Sequence, residues 1–223
     1  REGYVIARCT VARLMQKLGI QGVWRGKNKQ TTRSRDDQKR ADDLVKRNFN
    51  ADHPDQLWVA DFTYIQTHSG WVYTAFIIDV FSRAIVGWKV STRMNTDMVL
   101  DALEQALHDR GMPKNVIHHS DRGVQYLSIR YTNRLEAANL RASVGTTGDS
   151  YDNALAETVN GLYKTEVIEY LKADWQGLAD VQLATLNWVD WFNKERVHSA
   201  LGYVSPFEFE AMYYDKINPL GQV

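Results

Sequence analysis

Three acidic residues could do chemistry together: Asp61 in WVADFTY, Asp121 in HHSDRGVQY and Glu157 in YDNALAETVNGLYK. Fifty-nine residues separate the first pair, and 35 separate the second acid from the third. Asp61 stands among Val59, Ala60 and Phe62 in a run that predicts a strand, where a charge is costly unless paired or metal-bound. Asp121 follows NVIHHS, where a strand should run out into a loop, and ligand sites gather at the carboxyl ends of parallel strands. An Asx turn with Gly123 is the other reading of Asp121. Glu157 falls in an amphipathic stretch that predicts a helix. One acid from each of three different elements is how a fold converges hard oxygen donors on divalent cations. Two such cations can serve both the attacking and the leaving oxygen of an in-line phosphoryl displacement.

Other residues compete for these roles or extend them. Asp149, Asp152 and Glu166 are the rival third acids. Asp152 reads as a helix N-cap and Glu166 falls on another face from Glu157. Asn160, Gly161 and Lys164 share the Glu157 face, and Lys164 lies about 10 Å farther along the helix axis. A lysine paired with Asn160 or Asp152 is its other reading. His118 and His119 lack a cysteine partner or any HExxH or CxxC spacing, which points to structural roles or to supporting the neighbouring Asp121 rather than to a zinc site. Trp188, Trp191 and Phe192 recur at helical spacing, as a core stripe does.

The elements that must position the acids follow from hydrophobic periodicity and turn residues. LWVADFTYIQT, WVYTAFIIDV and AIVGWKVST predict an antiparallel meander, with a turn at Ser69-Gly70. Thr96 is expected to cap the helix DMVLDALEQALHDRG, which Gly111 and Pro113 end. NVIHHS and LRASVG predict two short strands on either side of the helix SIRYTNRLEAAN. A polar loop, TTGDSYDN, precedes a helix over 153–171, and ADVQLATLNWVDWFNKER predicts a last long helix before a Pro-bearing tail.

The strings WVADFTY, GWVYTAFIIDVFSRAIVGW, HSDRGVQY, GDSYDNALAETVNGLYKTE and WFNKERVHSALGYVSP together resemble the DDE transposase and retroviral-integrase core. They are most similar to the bacterial insertion-sequence transposases of the insertion-sequence-three family. The resemblance implies an α/β, ribonuclease-H-like fold: a mixed five-stranded sheet flanked by helices, with a small basic helical arm ahead of it. It implies a polynucleotidyl transferase whose metal ligands are Asp61, Asp121 and Glu157, holding two Mg²⁺ or Mn²⁺ ions. The family's terminal-DNA contact seven residues after the Glu falls on Lys164. Element-terminal inverted repeats and target DNA are the implied substrates, with a homo-oligomer on DNA. A first-frame helix-turn-helix and zipper segment is expected to precede this chain in the full-length product, and the initial Arg in place of Met fits a fragment. The strings Asp79-Ser82-Arg83 and Asn193-Arg196-His198 also match the family. An internal Asp–Ser or Asp–Arg bond accounts for the first, and the second has no role derivable from sequence.

Charge divides the chain. Net charge is zero overall. Residues 1–50 hold 13 Lys/Arg against 5 Asp/Glu, a net of +8, and residues 51–223 hold 14 against 22, a net of −8. A basic arm ahead of an acidic domain suits phosphate contact followed by a metal-dependent centre; a solvated tail is the alternative. The expected divisions are a short DNA-contacting helical segment over 1–24, a basic linker over 25–54, the core over 55–210 and a tail over 211–223. In the first, TVARLMQKLGI predicts a helix capped by Thr10 and stopped by Gly19, with Arg13 and Lys17 facing outward; DNA contact and simple packing are both open to it. Arg25, Lys27, Lys29, Arg33 and Arg35 supply the linker's candidate phosphate contacts. No run is apolar enough to span a membrane, and the single cysteine, Cys9, excludes an internal disulfide. A bacterial, cytoplasmic, nucleoid-associated location is expected.

Overall fold

The computed structural model describes residues 6–22, 42–46, 48–121, 123–145, 153–171 and 174–218. Arg25, Lys27, Lys29, Arg33 and Arg35, the rival acids Asp149 and Asp152, and most of the polar loop lie outside these residues. Strands β1 (Leu57–Thr67), β2 (Gly70–Asp79) and β3 (Ile85–Ser91) form the antiparallel meander. β4 (Ile117–Ser120) and β5 (Arg141–Val144) then join parallel to β1, giving the sheet order β3-β2-β1-β4-β5. This is the mixed five-stranded sheet that the resemblance implies.

Side-chain alternation along β1 divides the core in two. Trp58 and Ala60 face α2 (Thr96–Asp109) and α3 (Ile129–Ala137). Leu57, Val59 and Ile65 face α4 (Ala154–Tyr163) and α5 (Leu178–Lys194). Asp61 shares the parity of Val59 and so belongs to the α4 side. At Gly87 on β3, an added Cβ would come 2.3 Å from the Ala102 carbonyl oxygen of α2. Only the bare backbone lets that helix lie this close to the sheet.

Several sequence expectations shift. The cap of α2 is Asn95, whose Oδ1 accepts the Met98 N–H, so Thr96 is the first helical residue rather than the cap. Helix α1 (Arg8–Lys17) begins ahead of Thr10, and Gly19 ends it at a φ of +68°, with Ile20 N–H bonded to the Met15 carbonyl and Gly19 N–H to that of Gln16. None of α1 is buried: Arg13 and Lys17 face outward as expected, but Val11, Leu14 and Leu18 are exposed too. The packing reading of α1 therefore finds no partner surface among the described residues.

The linker does not run to residue 54. Asp43 accepts the N–H groups of Val45 and Lys46 in a tight turn, Val45 is buried in the core, and Phe49 and Ala51 pack behind it. The described part of the expected tail is helical up to Ile217, as the end of α6 (Pro206–Ile217). Ser205 and Glu208 form a reciprocal capping box with Pro206 at the first helical position, a start signal strong enough to nucleate the helix.

An ion-pair network fastens α6 to the rest. Arg110, at the end of α2, meets Asp55 at 2.8 Å and 2.9 Å and Glu210 of α6 at 2.6 Å, with all three side chains largely buried. Burial opposes the Arg110 charge, but Asp55 and Glu210 more than offset that and hold its pKa above the ordinary value. Asp55 also accepts Trp58 Nε1–H at 3.1 Å, and its own N–H donates to Asp79 at 2.8 Å. Asp79 in turn accepts the Ser82 N–H and hydroxyl, the Asp–Ser turn expected of that string.

Candidate active site

Sheet register brings the first two acids together. The last paired residues of β1 and β4 are Ala60 and Ser120. Asp61 and Asp121 are the next residues on neighbouring parallel strands, whose axes lie about 4.8 Å apart. Beyond this point β4 has ended, and among the described residues β1 continues paired with β2 alone.

Each carboxylate is oriented by named donors. Asp61 Oδ1 accepts the Phe62 N–H at 2.8 Å, and Oδ2 accepts Asn160 Nδ2–H at 2.8 Å. Asp121 Oδ1 accepts the Gly123 N–H at 2.8 Å, so the Asx turn and proximity to Asp61 coexist. An added Cβ on Gly123 would stand 2.9 Å from that same oxygen, which explains the glycine. Helix α4 is pinned to the site from both ends. Asn153 Nδ2–H donates to the Ala60 carbonyl at 2.9 Å, and Asn160 donates to Asp61. Glu157 lies between these two contacts, half-buried, close enough to act on the charge of Asp61.

The electrostatics follow from this packing. Burial, then the adjacent Asp121 and finally Glu157, push the Asp61 carboxyl up to about 8, against the lowering effect of its two hydrogen bonds. Burial raises Asp121 as well, opposed by the Gly123 N–H and by His119. Like charges in a buried site disfavour joint ionisation, and a cation placed among them reverses that preference. The donor set of three carboxylate groups thus fits a hard divalent ion in chemical kind. Among the described residues, no group of three or more His, Cys, Asp or Glu side chains closes around one point. The site is an adjacent Asp61–Asp121 pair with Glu157 beside it.

Lys164 and the remaining candidates separate clearly. Lys164 neither pairs with Asn160, which is engaged by Asp61, nor stands free: its Nζ lies 4.6 Å from the centre of the Tyr64 ring. It begins a wide-turn π-helical segment, Lys164–Glu169, which continues α4 where an ordinary α-helix was expected to run to Leu171. Glu166 within that segment is committed elsewhere. It receives Arg196 at 2.6 Å and 3.0 Å and Trp188 Nε1–H at 2.9 Å, which removes it as a rival third acid. Trp188 and Phe192 are core residues, whereas Trp191 is 40% exposed and leaves the expected stripe.

The C-terminal signature now has physical roles. Asn193 accepts the Ile85 N–H and donates to the Ile85 carbonyl, each at 2.9 Å, Arg196 clasps Glu166, and the His198 ring stands edge-on to Phe192 at 4.8 Å. Sequence reasoning missed Asn153 and Asn160 as the residues that set Asp61. The spacing of Asn160 from Glu157 was the available signal.

His118 and His119 are both buried and hydrogen-bonded. His119 Nδ1 meets the Ser143 hydroxyl at 2.9 Å, and His118 Nε2 meets the Tyr131 hydroxyl at 3.0 Å. Burial, then the neighbouring His119, depress His118 to about 4. An unfolded His titrates near 6.5, so between about 6.5 and 4 the unfolded chain takes up a proton that the folded chain refuses. Stability from His118 is therefore complete above pH 6.5 and is lost as pH falls through 4. His118→Gln should remove up to roughly 3 kcal/mol of this acid-side loss. Urea titrations at pH 7 and pH 5 check this; an unchanged pH slope in the variant counts against it.

The comparisons bear on the whole arrangement. The integrase core domain family matches residues 51–150 and, in a second description, 138–206, and an HTH-like domain matches residues 1–28. A transposase for insertion sequence element IS629 of Shigella sonnei is 57% identical over 217 residues, covering 97% of this chain and 72% of that relative. Transposase InsF for insertion sequence IS3A of Escherichia coli K12 is 38% identical over 172 residues, covering 76% of this chain and 59% of the relative. Among solved structures, the HTLV-2 integrase catalytic core domain in complex with magnesium is similar with a TM-score of 0.57 at 18% identity, over 72% of this chain and 99% of that one.

Proposed function

We infer that this chain, which belongs to the insertion-sequence-three family of DDE transposases, carries out DNA cleavage and joining at the site formed by Asp61, Asp121 and Glu157. The observation that carries the assignment is the register of β1 and β4, which brings two half-buried acids side by side beneath the helix that bears the third. The donor chemistry and the magnesium named with the integrase structure support a divalent cation such as Mg²⁺ or Mn²⁺ at these residues, and two ions are proposed. When bound, such ions supply Lewis-acid stabilisation of the phosphoryl oxygens and activation of the attacking oxygen. The chain's own part is positioning. Phe62 N–H and Asn160 fix the two oxygens of Asp61, Gly123 N–H fixes Asp121, and the Asn153 contact holds α4 so that Glu157 stays beside them.

The reaction needs no covalent enzyme intermediate. Hydrolysis of one phosphodiester at the element's end breaks the P–O3′ bond and leaves a free 3′-hydroxyl. That hydroxyl then attacks a second phosphodiester, forming a new P–O bond and releasing another 3′-hydroxyl. The substrates proposed are terminal inverted repeats and target DNA, engaged by an oligomer of the chain. The HTH-like match over residues 1–28 supports an added DNA contact through α1, where Arg13 and Lys17 face outward. Arg25, Lys27, Lys29, Arg33 and Arg35 are proposed to extend it. No helix among the described residues is long and apolar enough to cross a membrane.

A strand-transfer assay with a labelled 3′-hydroxyl DNA end tests this. Joined product in Mg²⁺ or Mn²⁺, abolished by EDTA, is the expected result, and cleavage without joining would reassign the chain as a nuclease. Lys164 sharpens the test, because its ammonium is proposed to meet DNA lying over the site rather than the metals. Lys164→Ala should lower end joining roughly tenfold and the slope of log K against log salt by about one, while Lys164→Arg keeps the charge and part of the activity. Equal loss of all metal-dependent cleavage, or no loss, would remove Lys164 from the DNA path.

A further inference from the structure

The tip of the β1–β2 hairpin carries aromatic side chains that the cleavage chemistry does not use. Trp71 is 50% exposed, and its ring stands edge-on to Tyr64 at 5.3 Å. Tyr64 is the ring over which the Lys164 ammonium lies. The tip is held still: His68 N–H donates to the Trp175 carbonyl at 2.9 Å, and the Ser69 N–H and hydroxyl both donate to the Gln176 carbonyl, at 3.1 Å and 2.6 Å. An exposed tryptophan on a tethered turn is preorganised for a ligand, since little freedom is left to lose on binding.

Counts along two elements give the distances of its neighbours from the acids. Tyr64 is three residues past Asp61 along β1, about 10 Å of extended chain. Lys164 is seven residues past Glu157 along the helix, again about 10 Å. Trp71 pairs with Gln66, five residues past Asp61 and about 16 Å along the strand, so along a DNA strand Lys164 stands one to two nucleotides from the acids and Trp71 two to three. Strand alternation turns Tyr64 to the opposite face of the sheet from Asp61, so a strand running from the acids to the platform must cross the edge of β1. Among the described residues no strand pairs with that edge beyond Ala60, where β4 has stopped, and Lys164 already reaches across from the α4 side to Tyr64.

We propose that Trp71, backed by Tyr64, is a stacking platform for an unpaired base two or three nucleotides from the phosphate being cut, with Lys164 on the intervening backbone. The proposal rests on the reading of Lys164 as a DNA contact. Base–aromatic stacking tolerates any base, because every base has a π face. The platform therefore senses a frayed end rather than a sequence, which suits a reaction that must open the duplex terminus to reach its phosphate.

The test uses the full chain in Ca²⁺ and two duplexes of the same sequence, one blunt and one ending in two unpaired thymidines. Binding is read by fluorescence anisotropy. Trp71→Ala should weaken the frayed duplex roughly tenfold and leave the blunt one within twofold, and Trp71→Phe should recover most of the loss. A 2-aminopurine placed in the unpaired stretch should be quenched by the parent chain and not by Trp71→Ala. Lys164→Ala, run alongside, should weaken both duplexes. If it does so while Trp71→Ala weakens neither, or weakens both alike, the stacking proposal fails and the DNA path stands. If Lys164→Ala leaves both duplexes untouched, the path itself is wrong.

Discussion

Asp61→Asn, Asp121→Asn and Glu157→Gln are each expected to lower cleavage and joining by a hundredfold or more, because each removes a charged oxygen donor from transition-state charge stabilisation. Folding should survive in all three. For Asp61→Asn, the protein without added metal should be more stable than the parent at alkaline pH. The unfolded Asp61 carboxyl loses its proton near 4 and the folded one near 8. Between those values the folded chain holds a proton that the unfolded chain has released, so stability from this group is complete below about 4 and is lost as pH rises through 8. Asparagine has no such loss. In EDTA at pH 8 the variant should melt several degrees higher, at roughly 2–4 °C per kcal/mol for a chain of this size. Added Mn²⁺ should raise the melting temperature of the parent and leave that of Asp61→Asn unmoved. Near-normal strand transfer by any of the three variants would strike that residue from the site.

The largest loss of stability should come from Arg110→Ala. The guanidinium links Asp55 beside the sheet to Glu210 on α6, and all three are mostly withdrawn from water. Removing it strands two carboxylates with no countercharge, a change that costs about 3–5 kcal/mol for buried pairs. The melting temperature should fall by roughly 10 °C. Arg110→Ala combined with Asp55→Asn and Glu210→Gln should recover part of that loss, since no unpaired charge then remains. A loss below about 1 kcal/mol in the single variant would mean that water reaches the cluster and screens it.

Much of this could be read from residue order alone because the signals are local. The run LWVADFTYIQT carries its own β-branched and aromatic pattern, and β1 occupies the same residues, Leu57–Thr67. The acids were legible because each sat where a lone charge is unwelcome or where a strand had to end. Contacts between amides were not legible. Asn153 and Asn160 bind β1 across 93 and 99 residues, and a carboxamide announces no partner in its own neighbourhood. Helix α6 was legible in principle, since Ser205-Pro206-Phe207-Glu208 is a start signal, but proline is as easily taken for a terminator. The π-helical turn at Lys164 contains Glu166, which is bonded to Arg196 and Trp188, tertiary contacts that no periodicity records.

The Asn193 carboxamide also has a consequence for life in a crowded solution. β3 is an outermost strand of the sheet, and a bare outer strand offers its peptide groups to any passing chain. Here the Ile85 N–H and carbonyl are both taken by Asn193 of α5, and the Trp88 N–H is taken by Gln105 of α2. Helices on opposite faces of the sheet each reach over its rim with one amide. A stray strand that tried to zip on would find these rungs already filled, so protection against edge-to-edge aggregation is built from the same helices that close the core.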